Sequence, residues 1–227
     1  MPTIEPERRR VRWPQACRIL PTRYPAVTLF DRVADAADFD ALYALEAMTN
    51  ERVRDEVGQI QRVPPEQRRF GPGSGPIMAA FTHVNLEGSR FSDGSYGVFY
   101  AARERATAIA ETRHHHARFL QATAQPPMHL PMRLYHVVID ASLHDLRPRA
   151  AALEACHDPD SYVASRALAA RLRAAGSEGV VYRSVRHSGG QCVGLFSPLG
   201  ARDCLHAAYL LYAWDGQRFT DVYERLS

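Results

Sequence analysis

Residues 88–120 place an arginine, a tyrosine, a glutamate and a histidine in the order GSRFSDGSYGVFYAARERATAIAETRHHHARFL. Glycines before and after Arg90 let the backbone turn sharply and approach a ligand. The Arg90 guanidinium can then offer a two-pronged hydrogen-bonding fork to a phosphate. Tyr100 ends a short apolar run and offers an aromatic surface to a flat group. The stretch therefore suggests a site for an anionic ligand that carries a flat ring.

Glu111 and His115 stand four residues apart in an alanine-rich segment with a helical pattern. Side chains at that spacing project from the same face of a helix. Small alanines can bring this helix close to a sheet and leave Glu111 facing a cleft. The same spacing is also common in solvent-exposed pairs, and an arginine in a glycine turn is often solvated, so spacing alone leaves both interpretations open.

Two other chemistries are not favoured. The three consecutive histidines 114–116 would point about 100° apart on a helix, so they cannot chelate one ion, and no metal site is predicted. GSGP and HSGG do not match the GxSxG motif of serine hydrolases. Ser184 lies in the apolar run VVYRSV, where a buried hydroxyl requires a hydrogen-bonding partner, and a backbone carbonyl would be the simplest one.

Composition narrows the classes of protein further. The chain has 227 residues, 46% apolar residues and a net charge of +3, and all of its 28 basic residues are arginines. Without lysine, Schiff-base chemistry and a phosphate-loop lysine are excluded. No apolar run approaches the roughly 18 residues of a membrane span, and the N-terminus lacks a secretory pattern, so we expect a cytoplasmic protein. The spacing of the four cysteines matches no zinc motif and predicts reduced thiols.

The order of predicted elements indicates an α+β fold with a largely antiparallel or mixed sheet, because helices and hairpins do not alternate regularly. Residues 1–12 are predicted to be a solvated arginine arm, and 62–76 a loop rich in proline and glycine. Helices are predicted at 30–58, 104–124 and 161–179, the first capped by Asp35 or Asp38. Predicted strands cover 18–27, 77–84, 98–102, 131–141, 180–185 and 192–198. Residues 204–226 supply closing strands or a terminal helix, and the DG pair at 215–216 favours a hairpin.

Three motifs in this order resemble the RES domain family: GSRFSDGSYGVFYAA, ATAIAET followed by a histidine, and GVVYRSVRHSGGQCVGLFSP. The resemblance covers about residues 77–200. It implies an ADP-ribosyltransferase-like mixed sheet with flanking helices, in which 77–227 is the RES domain and 1–76 an N-terminal arm and helical extension. Phe91 and Ser92 depart from the family's commoner tryptophan and asparagine.

The resemblance also implies roles for individual residues. Arg90, Tyr100, Glu111 and Ser184 take the catalytic positions, and contacts to NAD⁺ are expected from these and from a further group of residues, Ser92, His115, His83 and Arg186. Arg186 is also a candidate for holding a phosphate acceptor. The family's first-strand arginine is matched by Arg18, Arg32 or a substitute such as His83.

The function implied is that of a bacterial toxin which consumes NAD⁺ as its substrate, with no other cofactor. Cleavage of the nicotinamide–ribose bond would transfer ADP-ribose to phosphate, water or a protein. The expected partner is an Xre-type helix-turn-helix antitoxin. Two alternatives are a non-catalytic nucleotide- or protein-binding module and an RNA-binding toxin that uses the arginine arm. The second is disfavoured because the arm has almost no aromatic residues for stacking.

Overall fold

One mixed sheet of seven strands forms the centre of the computed structural model, which describes residues 5–24, 27–47, 55 and 57–225. The strands are β1 (Arg8–Pro21), β2 (Phe99–Ala102), β3 (Met128–Asp145), β4 (Gly179–Arg183), β5 (Gln191–Leu195), β6 (Ala201–Trp214) and β7 (Phe219–Glu224). Their order is β1-β2-β5-β4-β3-β6-β7. Only β3 and β4 pair in parallel among these strands, so the predicted α+β class with a mixed sheet is confirmed.

Strand β1 also pairs with β3 along almost its whole length, so β1, β2, β5, β4 and β3 form a closed ring of pairings. Within that ring, Cys17 on β1 lies opposite Ala102 on β2, which in turn lies opposite Cys192 on β5. The ring therefore brings the second half of β1 beside β2, although about 80 residues separate them in sequence.

An irregularity in β1 moves its odd-numbered residues from one hydrophobic core to the other. The register of β1 against β3 shifts between Trp13 and Ala16. Val11 and Trp13 pack into one core, whereas Cys17 and Ile19 pack into the other. A one-residue shift exchanges the two faces of a strand, which accounts for this change of side.

The helices are divided between those two cores. They are α1 (Ala36–Ala47), α2 (Gly75–Thr82), α3 (Arg105–Ala122), α4 (Ala151–Glu154) and α5 (Val163–Ala174). Helices α1 and α2 contribute Phe39, Ile77 and Met78 to the first core, where the Phe39 and Phe30 rings stack at 4.9 Å. Helices α3 and α5 contribute Leu120 and Leu168 to the second. None of the helices in the described part of the chain is long and apolar enough to cross a membrane.

Two predictions about the N-terminal third are wrong. Residues 8–12 are not a solvated arm but the start of β1, because arginines at alternate and exposed positions concealed the buried Val11 and the following Trp13. Residues 77–84 are not a strand: Gly75–Thr82 is helix α2, with Pro76 in its first turn. A short apolar run of this length does not distinguish a strand from a buried helix.

Other predictions are confirmed, with adjusted limits. The strand at 131–141 lies within β3, the pairs β4–β5 and β6–β7 are antiparallel, and the other two helices appear as α3 and α5. Helix α1 covers only part of 30–58; Asp35 caps it by accepting from the backbone N–H groups of Ala37 and Asp38. The prediction for 48–54 and 56 lies outside the described residues. The segment before residue 77 contributes both β1 and packed helices to the domain, and the division at 76 stays a prediction.

Candidate functional site

A cleft of about 990 Å³ opens between the second half of β1, β2, helix α3 and the loop that carries Arg90. Four residues predicted for the site line it: Arg90, Tyr100, Glu111 and His115. Arg18 of β1 lines it as well. The structure therefore brings together side chains that come from a turn, two strands and a helix.

Arg90 is held on the wall of this cleft with only 7% of its surface exposed. Its Nη1 donates to the carbonyl oxygens of Cys156, at 3.1 Å, and Asp158, at 2.8 Å. The guanidinium carbon lies 4.5 Å from the centre of the Tyr162 ring, and Ser165 donates to the Arg90 carbonyl at 2.7 Å. The two carbonyl dipoles and the face of the Tyr162 ring orient the guanidinium and partly compensate its charge. None of these contacts is a carboxylate that would neutralise it.

Tyr100 fixes the loop on both sides of Arg90. Its hydroxyl lies 2.7 Å from Ser89 Oγ and accepts from the buried Phe91 N–H at 3.0 Å. Burial is the main reason that the pKa of Tyr100 is raised, so this phenol is protonated throughout the physiological range. The ring lines the cleft while the hydroxyl belongs to the loop. Tyr100 therefore combines an aromatic wall with control of the Arg90 backbone.

Glu111 is fixed by Ser184 at the end of β4. Ser184 Oγ donates to Glu111 Oε1 at 2.6 Å and accepts from the backbone N–H groups of Arg186, at 3.1 Å, and His187, at 3.0 Å. Two donors to a hydroxyl strengthen the bond that the hydroxyl donates. Ser184 lies behind the cleft wall with 9% exposure, so it acts on Glu111 and is not among the residues lining the cavity.

The three histidines of α3 lie in different surroundings, as expected for consecutive helical residues. His115 is exposed at the rim, yet desolvation by the neighbouring walls lowers its pKa, Arg186, Arg90 and Arg118 lower it further, and Glu111 opposes them. Desolvation also lowers the pKa of His116, which lines the cleft, to about 4. His114 lies at a separate, smaller cavity. No group of three potential metal ligands occurs among the described residues.

Arg18 is the first-strand candidate that reaches the cleft. Its Nη1 donates to the Tyr100 carbonyl at 2.9 Å, and its guanidinium lies 4.4 Å from the centre of the Phe99 ring. The buried Arg18 Nε has no hydrogen-bond partner within the described structure, and burial lowers the pKa of Arg18. Arg32 instead lies in a short 3₁₀ turn and forms an ion pair with Glu46 at 2.7 Å.

Besides Ser184, three predicted contact residues lie off the cleft lining. Ser92 is 3% exposed, and its hydroxyl serves the turn by donating to Tyr96 O at 2.6 Å and accepting from Gly94 N at 3.0 Å. His83 ends α2 and bonds the Asp55 carbonyl at 2.8 Å. Arg186 donates to the Pro159 carbonyl near the rim and lowers the pKa of His115.

Sequence reasoning missed several polar and aromatic residues of the cleft. The added residues come from the turn after β1, the loop before Arg90, α3, and α5 with the residues that lead into it; they are Arg23, Glu87, Arg118, Asp160, Tyr162 and Arg166. Arg118 is seven residues after Glu111, two helical turns away, so helical spacing could have identified it. Tyr162 and Arg166 carry no such signal, because only the folded chain brings α5 to this loop.

Replacing Tyr100 with phenylalanine tests whether its hydroxyl holds the Arg90 loop. Tyr100→Phe leaves the buried Phe91 N–H without its acceptor, so we expect the free energy of unfolding to fall by about 1–3 kcal/mol in urea denaturation. Tyr223→Phe is the control, since Tyr223 is 53% exposed on β7, and it should change stability by less than about 0.5 kcal/mol. Equal effects of the two substitutions would contradict this role.

The histidines of α3 predict a loss of stability in acid. Burial lowers the pKa of His114 and His116 from 6.5 to about 4, so between these values the unfolded chain binds protons that the folded chain does not. The free energy of unfolding should therefore decrease as the pH falls from 6.5 towards 4. His114→Asn combined with His116→Asn should flatten this decrease in denaturation series. An unchanged slope in the double variant would contradict the assignment.

Comparisons with known proteins agree with the sequence motifs. Residues 60–215, more than half of the chain, match the model of the family described as RES domain. Uncharacterized protein y4oC of Sinorhizobium fredii (strain NBRC 101917 / NGR234) is 25% identical over 212 residues, which cover 91% of this chain and 85% of the relative. A chain in the crystal structure of the M. tuberculosis MbcT–MbcA toxin–antitoxin complex aligns with 95% of this chain and 86% of its own length, at 13% identity and a TM-score of 0.44. The matched region contains Arg90, Glu111 and Ser184, and the chain belongs to the RES domain family.

Proposed function

We propose that the protein cleaves the nicotinamide–ribose bond of NAD⁺. One observation supports this most strongly: Arg90, buried and without a carboxylate contact among the described residues, and Glu111, fixed by Ser184, line the same cleft of about 990 Å³. A cleft of this size is in the range of small-molecule and cofactor sites. Membership of the RES family agrees, since NAD⁺ consumption is what that resemblance implies.

Glu111 is proposed to stabilise the reacting sugar. Departure of nicotinamide leaves an oxocarbenium-like positive charge at the ribose, and an oriented carboxylate lowers the energy of such a state. Ser184 engages Oε1, and among the described residues no hydrogen bond engages Oε2. That second oxygen is the atom we assign to the ribose, with Ser184 holding the carboxylate in place.

The charges of the cleft suit a diphosphate. Five arginines line it, against three carboxylates; they are Arg18, Arg23, Arg90, Arg118 and Arg166, with Glu87, Glu111 and Asp160. Arginine forks match the geometry of phosphate oxygens, and the absence of lysine leaves arginine as the cationic side chain available. We assign the diphosphate to Arg90 and the flat nicotinamide ring to the wall formed by Tyr100.

The acceptor of the ADP-ribosyl group is phosphate, water or a protein. The lowered pKa of His115 keeps its ring neutral near pH 7, so it can accept a proton from an acceptor at the rim. Arg118 and Arg186 both lower the pKa of His115, and we assign the binding of a phosphate acceptor to these two cations. By its RES family membership, we assign the protein to the toxins that pair with an Xre-type antitoxin.

Incubating the purified protein with NAD⁺, with and without inorganic phosphate, tests the proposal directly. Mass analysis distinguishes ADP-ribose, its phosphate ester and a modified protein, and so also identifies the acceptor. We expect release of nicotinamide together with one of these products. NAD⁺ that binds and stays intact under all conditions would instead support the binding-module alternative.

Replacing Glu111 with glutamine tests the role of its charge. The amide oxygen of Glu111→Gln can still accept from Ser184, so the fold should persist while kcat falls by roughly 100-fold or more. Glu104→Gln is the matched control, because Glu104 precedes the same helix, makes no side-chain capping bond and does not line the cleft. Full activity of Glu111→Gln would remove the role assigned to this carboxylate.

A further inference from the structure

His157 is a buried histidine, 7% exposed, that lies outside the cleft lining, between the two residues whose carbonyls hold Arg90. It ends the 3₁₀ turn Ala155–His157. Its Nδ1 lies 3.1 Å from the Leu153 carbonyl, and its Nε2 lies 3.3 Å from the Arg183 backbone nitrogen. Since a carbonyl only accepts and an N–H only donates, these partners require the neutral ring with its proton on Nδ1.

The two backbone segments that this ring joins hold the two charged groups of the site. The residues directly before and after His157 are Cys156 and Asp158, whose carbonyls accept from Arg90. On the other side, Arg183 directly precedes Ser184, whose hydroxyl donates to Glu111. A path from Arg90 to Glu111 thus runs through one buried imidazole and two short pieces of backbone, beside the side-chain contacts Arg186–Pro159 and Arg183–Glu154.

The surroundings of His157 favour the neutral ring. Burial lowers the pKa of His157, and the charges of Arg183 and Arg90 lower it further, against Glu154 and the Leu153 carbonyl. Glu154 is itself engaged by the Arg183 side chain at 2.8 Å. A proton on Nε2 would point at the Arg183 N–H and add a third cation to this region, so protonation would break the link between the two segments.

We propose that His157 is a positioning residue that fixes the distance between Arg90 and Glu111 without touching the substrate. Its effect on catalysis rests on the function proposed above, whereas its effect on the two backbone segments does not. A displacement of a reacting group by about 1 Å is sufficient to cost a large part of the rate. The His157 ring bonds the backbone segment that holds Arg90 to the segment that carries Ser184, and it is therefore placed to prevent such a displacement.

Two substitutions of His157 and one control define the test. His157→Leu removes both ring hydrogen bonds and should lower kcat/KM for NAD⁺ by roughly 10- to 100-fold. His157→Gln keeps an acceptor for the Arg183 N–H and should recover part of that loss. His144→Leu is the control: His144 is 1% exposed, bonds Ser177 and Arg8 through its two nitrogens, and lies outside the cleft lining. It should lose stability while the folded protein keeps its kcat/KM.

Amide hydrogen exchange, measured without nucleotide, separates this proposal from the proposed function. The Arg183 N–H should exchange faster in His157→Leu than in wild type and His144→Leu. An unchanged rate at Arg183 would overturn the proposal even if NAD⁺ is cleaved. If the wild type cleaves no NAD⁺, the proposed function fails, and the exchange rate at Arg183 still decides the role of His157.

Non-additivity provides a second criterion that a general loss of stability would not meet. If His157 acts by holding Arg90, then adding His157→Gln to Arg90→Gln should reduce kcat/KM by much less than it does in the wild-type background. The criterion also holds if His157→Leu does not fold, because it uses the glutamine variant. Independent, additive losses, or no loss of kcat/KM in His157→Gln and His157→Leu, would overturn the proposal.

Discussion

The site depends on one buried positive charge that the protein orients but does not neutralise. Arg90 is 7% exposed, and its described partners are two carbonyl oxygens and the face of Tyr162. Burying an ion is costly unless dipoles or an opposite charge compensate it, so an anionic ligand that supplies this charge gains more here than at the surface. The loop around Arg90, the turn at Cys156–Asp158 and the start of α5 are all needed to sustain this arrangement.

The sheet supplies the rigid frame that brings this charge to Glu111. Because β1 closes the ring of strands through both β2 and β3, its second half faces the cleft and adds Arg18 next to Tyr100. Strand β3 packs the N-terminal helices on one face and α3 on the other, and the register shift in β1 turns Cys17 and Ile19 towards the α3 side. The N-terminal segment is thus part of the frame that builds the cleft.

The sequence pattern identified the site residues that lie in a helix or a turn with a recognisable motif. It missed the residues that reach the site only through contacts between distant parts of the chain. Helical spacing predicts that Glu111 and His115 share one helix face, and the glycines around Arg90 predict a turn. These local signals were sufficient to propose all three residues as ligand contacts. Arg18 stayed one of three candidates, because only the pairing of β1 with β2 brings it to the cleft. His157 carries no motif: it matters because Arg183, which is 26 residues later, returns to its ring. Helix α2 was mistaken for a strand because eight apolar-rich residues fit both periods.

The hydrogen bonds of Ser184 argue against a nucleophilic role for this serine. An attacking hydroxyl needs a base that removes its proton and an oxygen lone pair that is open to the substrate. Ser184 gives its proton to Glu111 and receives two backbone N–H donors on the oxygen, and it lies behind the cleft wall. Such donors stabilise a hydroxyl in a fixed orientation and occupy the lone pairs that an attack would use. Under the proposed function, the carboxylate is therefore the group that meets the sugar, and the serine, like His157, serves to keep a charged partner in place.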